Sequence, residues 1–308
     1  MEKNIVITDD LFVPAKIEKS EMEKISRPNL TAFQDGWLRL KQNKAAVACL
    51  YVLTLLVLLA IFGPYMTKYA YDATDYKAAF QGPSASHWFG TDKFGRDLWA
   101  RTWQGTRISL LIALLAAFLD LAVGVTYGAV SALIGGKVDA IMQRIIEVLV
   151  GIPSLIIVIL LMMVMPAGIL TIMLALSITG WVNMARLVRA QILKLKEQEF
   201  VLAAQVLGTS KTQIILKHLV PNTIGVIVIN TMFTIPSAIF TEAFLSFIGI
   251  GLREPRASLG VLINMGFQVI NNYFYPLIFP ALVIVLIMVC FSVLGDGLRD
   301  ALDPRMRL

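Results

Sequence analysis

Two acids stand where an apolar chain accommodates charge least easily. Asp120 lies in "AFLDLAVGV" and is the only Asp, Glu, Lys or Arg between Arg107 and Lys137. Glu242 lies in "IPSAIFTEAFLSFIGIGL" and is the only one between Lys217 and Arg253. Ionisable groups inside hydrocarbon-spanning helices are costly and are functional candidates by default. One reading puts both acids on a polar path or a helix–helix contact. The other lets each reach a membrane interface or a neighbouring backbone group. Pro236, Thr241 and Ser246 make the Glu242 segment polar. Asp120, Glu242 and Ser246 are therefore the candidates for lining a translocation path.

Other chemistry is scarce. The two histidines, His87 and His218, fall in segments expected on opposite sides of a membrane. Cys49 and Cys290 fall within apolar runs, which offers neither a disulfide framework nor a zinc site. HExxH, GxSxG and GxxxxGK[ST] are all missing from the sequence. "GTSKT" at 208–212 lacks both the Gly-Lys-Ser/Thr core of a phosphate loop and a preceding strand. No catalytic residues and no metal set are expected, so any work must draw its energy from elsewhere.

The elements that position these residues follow from composition. The chain has 308 residues, 57% of them hydrophobic and 16% charged, against roughly 25% charged in soluble domains. A bilayer-spanning helix needs about 20 apolar residues. No charge occurs between Lys44 and Lys68 or between Arg256 and Asp296. The interval from Arg144 to Arg186 carries only Glu147, is long enough for two spans, and breaks at Pro166-Ala167-Gly168. With the Asp120 and Glu242 intervals, this gives an all-α polytopic membrane protein with six transmembrane helices. Pro153 and Pro236 are positioned to kink their helices.

Orientation follows the Lys and Arg distribution. With the N-terminus inside, inner segments hold 19 of these residues and outer segments 8. Both termini are thus expected in the cytoplasm. The basic excess reads as membrane orientation and not as nucleic-acid binding, because no basic stripe interleaves with aromatics. Residues 1–44 form a cytoplasmic N-terminal segment, too long for a signal-peptide n-region. Within it, residues 1–26 carry few large apolar side chains, and Phe33–Leu40 fits either a short amphipathic helix or a linker. Residues 45–67 make the first span and 68–106 an extracytoplasmic loop. Residues 107–298 make a five-helix core and 299–308 a cytoplasmic tail.

Between the fourth and fifth spans lies "EFVLAAQVLGTSKTQIILKHLVPN", residues 199–222. Phe200, Ala203, Ala204 and Leu207 fall at i, i+3, i+4 and i+7, one apolar face of a helix. Gly208 supplies a left-handed position that ends it. Ser210 with Gln213 forms a capping-box pattern opening a second helix, whose stripe is Ile214, Ile215 and Leu219. Pro221 is expected to force Val220 out of the helical region before the next span begins. The result is a hairpin of two short helices facing the cytoplasm. A hairpin lying on the membrane is the alternative. The small residues Ala203 and Ala204 suit a protein groove better than lipid.

These residues carry a resemblance. "LAAQVLGTSKTQIILKHLVPN" resembles the EAA loop of ABC-importer permeases, with Ala203, Ala204, Gly208 and Pro221 at the family spacing. Leu202 stands where that family has Glu, Val220 where it has Leu, and His218 where it has Ile. "HWFGTDKFGRDLWARTWQGTRISL" (87–110), "EAFLSFIGIGL" (242–252) and "LGDGLRDALDPRMR" (294–307) resemble the C-type subunit of dipeptide/oligopeptide permeases. The similarity covers roughly residues 30–308.

The resemblance implies a type I ABC-importer permease that moves dipeptides or oligopeptides across the cytoplasmic (inner) cell membrane into the cell. Its partners would be a homologous permease subunit, two cytoplasmic ATPase subunits and an extracytoplasmic solute-binding protein. The hairpin at 197–220 would couple to the ATPases through Glu199, Ala203, Ala204, Gly208, His218 and Pro221. The loop bearing Thr91, Asp92, Arg96 and Asp97, and the segment 253–275, would face the binding protein. No cofactor is expected on this chain, with ATP and Mg on the ATPase subunits. Nickel, glutathione or another small solute are alternative cargoes of the same class. An ion-coupled secondary transporter is the rival class, but no internal repeat and no role for the hairpin support it.

Overall fold

The computed structural model describes residues 32–166 and 168–302. Residues 1–26 and the end of the tail, 303–308, lie outside the described residues. Among those described the protein is helical, with one isolated antiparallel bridge between Thr91 and Asp97 and no strand.

Helix α1 spans Ala32–Gln42, and α2 spans Lys44–Phe62, opened by Asn43, whose side chain accepts from the Ala46 N–H at 3.1 Å. After two 3₁₀ turns, Gly63–Tyr65 and Tyr76–Ala78, comes α3, Leu98–Ile134. There follow α4, Gly136–Gly151, α5, Ser154–Val164, and α6, Ile169–Lys196. The hairpin contributes α7, Glu199–Val206, and α8, Lys211–Ile214. A π turn at Ile215–Leu219 leads into α9, Val220–Phe247. Helix α10 is Leu259–Gln268, and α11 is Tyr275–Leu302.

Five of these segments are long and apolar enough to cross a membrane. Helices α4 and α5 are together long and apolar enough for a sixth crossing if they form one span, bent by 80° at Ile152–Pro153. A proline cannot continue a helix, and it biases its predecessor to extended backbone, as Ile152 shows at φ −100°, ψ 126°. The helical segment here therefore begins at Gly136, ahead of the Arg144 from which the sequence alone starts the third span. Its first half is amphipathic and carries Lys137, Asp139, Arg144 and Glu147. Asp139 is held by Arg189 of α6 at 2.6 and 2.5 Å. By contrast, Pro236 sits inside the uninterrupted α9.

Helices α3 and α6 make the most extensive contact in the bundle. Gly124 and Gly128 of α3 permit it. A methyl group at either position would collide with Met184 and Trp181, or with the Ala185 carbonyl and Arg189 backbone. Small residues four apart let helices in a bilayer approach until their backbones nearly touch. A central core joins α2, α3, α9 and α11 through Leu56, Trp103, Ala113, Ile239, Val283 and Ile287. Helix α1 docks at one end of the bundle, with Leu40 buried beside Ala46, Leu294 and Ala301, while Trp37 and Leu38 stay exposed. That end also carries the hairpin, and residues 63–97 and 248–274 cap the other.

Two further boundaries differ from those read in the sequence. Helix α3 starts at Leu98, not 107, because Asp97 caps it and Arg101 is buried within the loop end. Helix α11 runs to Leu302, past the expected start of the tail at 299.

Candidate functional site

The hairpin is rooted by four wholly or almost wholly buried side chains, Val201, Ile214, Ile215 and Leu219. They pack on Val188 and Ile192 of α6 and Ile227 of α9. Its elbow has Gly208 at φ +80°, a left-handed conformation that costs a residue with a Cβ. Ser210 Oγ accepts from the Gln213 N–H at 3.3 Å, so the second helix is capped as its spacing predicts.

The first helix leaves most of its apolar stripe, Phe200, Ala203 and Leu207, exposed. Val201, not Phe200, Ala203 or Leu207, is its inward anchor, and Ala204 is half-buried beside it. Phe200, Leu202, Val206 and Leu207 are exposed, the last two at 87% and 85%. The segment is apolar on more than one side, so periodicity alone could not say which side docks inward. Glu199, Ala203, Gly208 and Pro221 are exposed and His218 is half-buried.

Val220 is also a correction. It is helical at φ −60°, ψ −46°, and Pro221 continues the helix without a break. The preceding π turn explains this: the Val220 N–H bonds the Ile215 carbonyl five residues back. The wider turn opens the backbone ahead of a residue that has no N–H of its own.

A cavity of about 780 Å³ opens among α3, the α4–α5 break, α6 and α9. Asp120, Gly180, Asn183, Asn230, Ser237 and Thr241 are among its lining residues. Asn183 Nδ2 donates to Asn230 Oδ1 at 3.0 Å across the wall. Of the three expected path residues, the structure brings only Asp120 to this space.

Glu242 and Ser246 lie on the other side of α9, buried in a network of their own. The hydroxyls of Ser109 and Ser246 donate to the Glu242 carboxylate at 2.7 and 2.9 Å. Ser109 Oγ also accepts from the Leu259 N–H at 3.3 Å, and Ser246 Oγ from the Leu252 N–H at 3.2 Å. The acid thus ties α3, α9 and the 248–258 loop to the start of α10. Both oxygens are satisfied and Glu242 is wholly shielded. The network is a fixing point between elements, set away from the cavity wall.

Thr91, Asp92, Arg96 and Asp97 were expected to face a partner, yet each is at most 3% exposed. Asp92 accepts from the Phe94 and Arg96 N–H groups and pairs with Arg96 Nε at 2.6 Å and Arg101 Nε at 3.5 Å. Arg96 reaches Glu254 of the second loop at 3.2 Å. Asp97 accepts from the Ala100 N–H at 2.9 Å and pairs with His87 Nδ1 at 2.8 Å. Thr91 Oγ1 donates to the Ala78 carbonyl and accepts from the Gln81 N–H. Their polar groups are consumed in folding the loop onto the head of α3. Sequence reasoning passed over Arg101 and Glu254, which complete this cluster. The charge density of "TDKFGRDLWAR" was the available signal.

Comparison with known proteins agrees with this architecture. Residues 124–308 match the family described as "Binding-protein-dependent transport system inner membrane component". Residues 31–83 match the "N-terminal TM domain of oligopeptide transport permease C". The oligopeptide transport system permease protein OppC of Bacillus subtilis is 48% identical over 301 residues, covering 98% of this chain and 99% of that one. The dipeptide transport system permease protein DppC of the same organism is 46% identical over 307 residues, covering 99% and 96%. OppC of Escherichia coli K12 is 43% identical over 287 residues, covering 92% and 95%. A chain of the MetNI methionine ABC transporter, solved in an inward-facing conformation, superposes with a TM-score of 0.56. It covers 66% of this chain and 96% of that one at 16% identity, a likeness of fold alone.

Proposed function

Because the chain belongs to the family of binding-protein-dependent transport system inner membrane components, we propose that it is a membrane-spanning subunit of an ATP-driven peptide importer. Relatives named for oligopeptide and dipeptide transport support peptides as the cargo. The observation that carries the mechanism is the hairpin: a rigidly rooted element with an unpartnered apolar face, Phe200, Leu202, Val206 and Leu207. Such a face suits the groove of a cytoplasmic ATPase subunit. Its root on α6 and α9 would carry a displacement at the groove directly to two walls of the cavity.

In this reading ATP and Mg are held by the ATPase subunits and this chain holds neither. A homologous permease stands opposite the cavity. Both termini and the hairpin lie in the cytoplasm, which the basic asymmetry supports. The solute-binding protein docks on the exposed rim of the other end. There Tyr76, Trp88, Lys93, Arg253 and Arg256 are exposed, and the buried Asp92–Arg96–Asp97 cluster beneath holds that rim in shape.

The test is Leu207→Asp in the reconstituted complex. The side chain is exposed, so membrane insertion and folding are expected to be unchanged, while a charge in an apolar groove is expected to release the ATPase subunits. Co-purification of those subunits and peptide-stimulated ATP hydrolysis read the outcome. Full coupling with Leu207→Asp would show that this face is not the coupling surface.

A further inference from the structure

We propose that Asp120 receives the free α-ammonium group of a peptide in the cavity, with Arg186 facing the peptide's C-terminal carboxylate. The proposal rests on the reading of the chain as a peptide importer and names the chemistry of its transit site. Asp120 is the exception among the buried acids. Glu242 accepts from two serines, Asp92 is held by arginines and backbone N–H groups, Asp97 by His87 and a backbone N–H group, and the half-buried Asp139 is clasped by Arg189. Asp120 is only 5% exposed, and its Oδ1 has no hydrogen-bond partner among the described residues. A buried charge with no partner is strongly unfavourable, and a buried polar atom without a partner calls for one. No described residue supplies it.

The site is also built around this carboxylate. It rests against the Cα of Gly180, where any methyl group would collide with it. That close approach fixes the acid between α3 and α6 while leaving it on the cavity wall. A primary ammonium brings three N–H donors to such an acceptor.

Arg186 extends the argument from a cation to a zwitterion. It lines the same cavity, is exposed, and makes no ion pair with a described residue. It lies six residues beyond Gly180 on α6, about 9 Å along the axis at roughly 1.5 Å per residue. An extended peptide advances roughly 3.3–3.6 Å per residue, so this axial offset corresponds to about three residues of peptide. Between them Asn183, Asn230 and Thr234 offer neutral donors and acceptors to a peptide backbone. Charge at the two ends with neutral groups between would recognise the termini of a peptide and leave its side chains unread.

The experiment uses the assembled complex of both permeases and both ATPase subunits, without the solute-binding protein, so that only the membrane site is read. Equilibrium dialysis compares radiolabelled trialanine, N-acetyl-trialanine and trialanine amide. In the wild type each cap is expected to weaken binding about tenfold, the scale of one charge-assisted hydrogen bond. Asp120→Asn is expected to abolish the N-acetyl penalty and keep the amide penalty, and Arg186→Gln to do the reverse. Equal binding of all three peptides by the wild type, no binding at all, or an N-acetyl penalty that survives in Asp120→Asn would overturn the proposal. Should Asp120→Asn fail to assemble, Asp120→Ala removes the charge without crowding Gly180, and an N-acetyl penalty that survives there would overturn the proposal equally. Uptake of trialanine by the complete importer separates the two levels. No peptide uptake would refute the importer reading, whereas uptake without discrimination between capped and free termini refutes only this site.

Discussion

Replacing Asp92 by Ala removes the carboxylate that holds Arg96 at 2.6 Å and Arg101 at 3.5 Å, and leaves two buried guanidinium groups without it. Breaking a buried ion pair from one side typically costs about 3–5 kcal/mol. Asp92→Ala is therefore expected to lower the thermal unfolding temperature of the complex. Affinity for the solute-binding protein, measured per folded complex, is expected to change little. Intact stability with lost docking would return Asp92 to the role its sequence position suggested. Glu242→Ala follows the same logic. It orphans the hydroxyls of Ser109 and Ser246 and empties a shielded site, at about 2–5 kcal/mol by the scale of buried deletions. Thermal unfolding is expected to show that loss and Glu242→Gln a smaller one, with uptake per assembled complex retained in both. A Glu242→Ala complex of normal stability that transports nothing would restore the acid to the path.

The crossing of α3 and α6 is the element on which both the cavity and the hairpin root depend. Gly128 lies against the Ala185 carbonyl and the Arg189 backbone, atoms that cannot rotate aside as the end of a side chain can. Gly128→Ala is expected to cost about 1–3 kcal/mol by overpacking and to spread α3 from α6. Gly151, at the end of α4, has no neighbour within 4 Å of an added Cβ. Gly151→Ala is thus the matched control, expected to leave the unfolding temperature unchanged. The comparison is a thermal unfolding series of the two variants. Equal shifts would mean that the crossing is not set by backbone approach. The α4–α5 break works at the same scale: the chain turns through 80° at Pro153, and Ile152, Pro153 and Ser154 lie on the cavity wall.

For the whole molecule the decisive quantity is orientation. The two native thiols are poor targets for labelling, since Cys290 is buried and Cys49 half-buried. Ala85→Cys, in the exposed loop, is expected to react with a membrane-impermeant maleimide in intact cells. Gln205→Cys, exposed on the hairpin, is expected to react only after permeabilisation. The reverse pattern would invert the proposed topology and place the hairpin away from any cytoplasmic ATPase.

Apolar run length determined the spans from sequence, because an uncharged stretch of about 20 residues has few stable alternatives to a membrane helix. The hairpin was legible as well: Gly208 takes its positive φ, Ser210 caps, and Ile214, Ile215 and Leu219 turn inward, all consequences of bonding within a few residues. Only the tertiary structure decided which face each polar residue meets. Asp120 and Glu242 look alike in sequence, each a lone acid in an apolar run. One meets a glycine and open space, the other two serines from different helices. Thr91, Asp92, Arg96 and Asp97 read as an exposed polar loop until Arg101 and Glu254 close over them, the latter more than 150 positions along the chain. Periodicity reports that a residue is polar and where it falls on its own helix. Whether that polarity is spent inside the fold or left for a ligand depends on groups that only packing brings together.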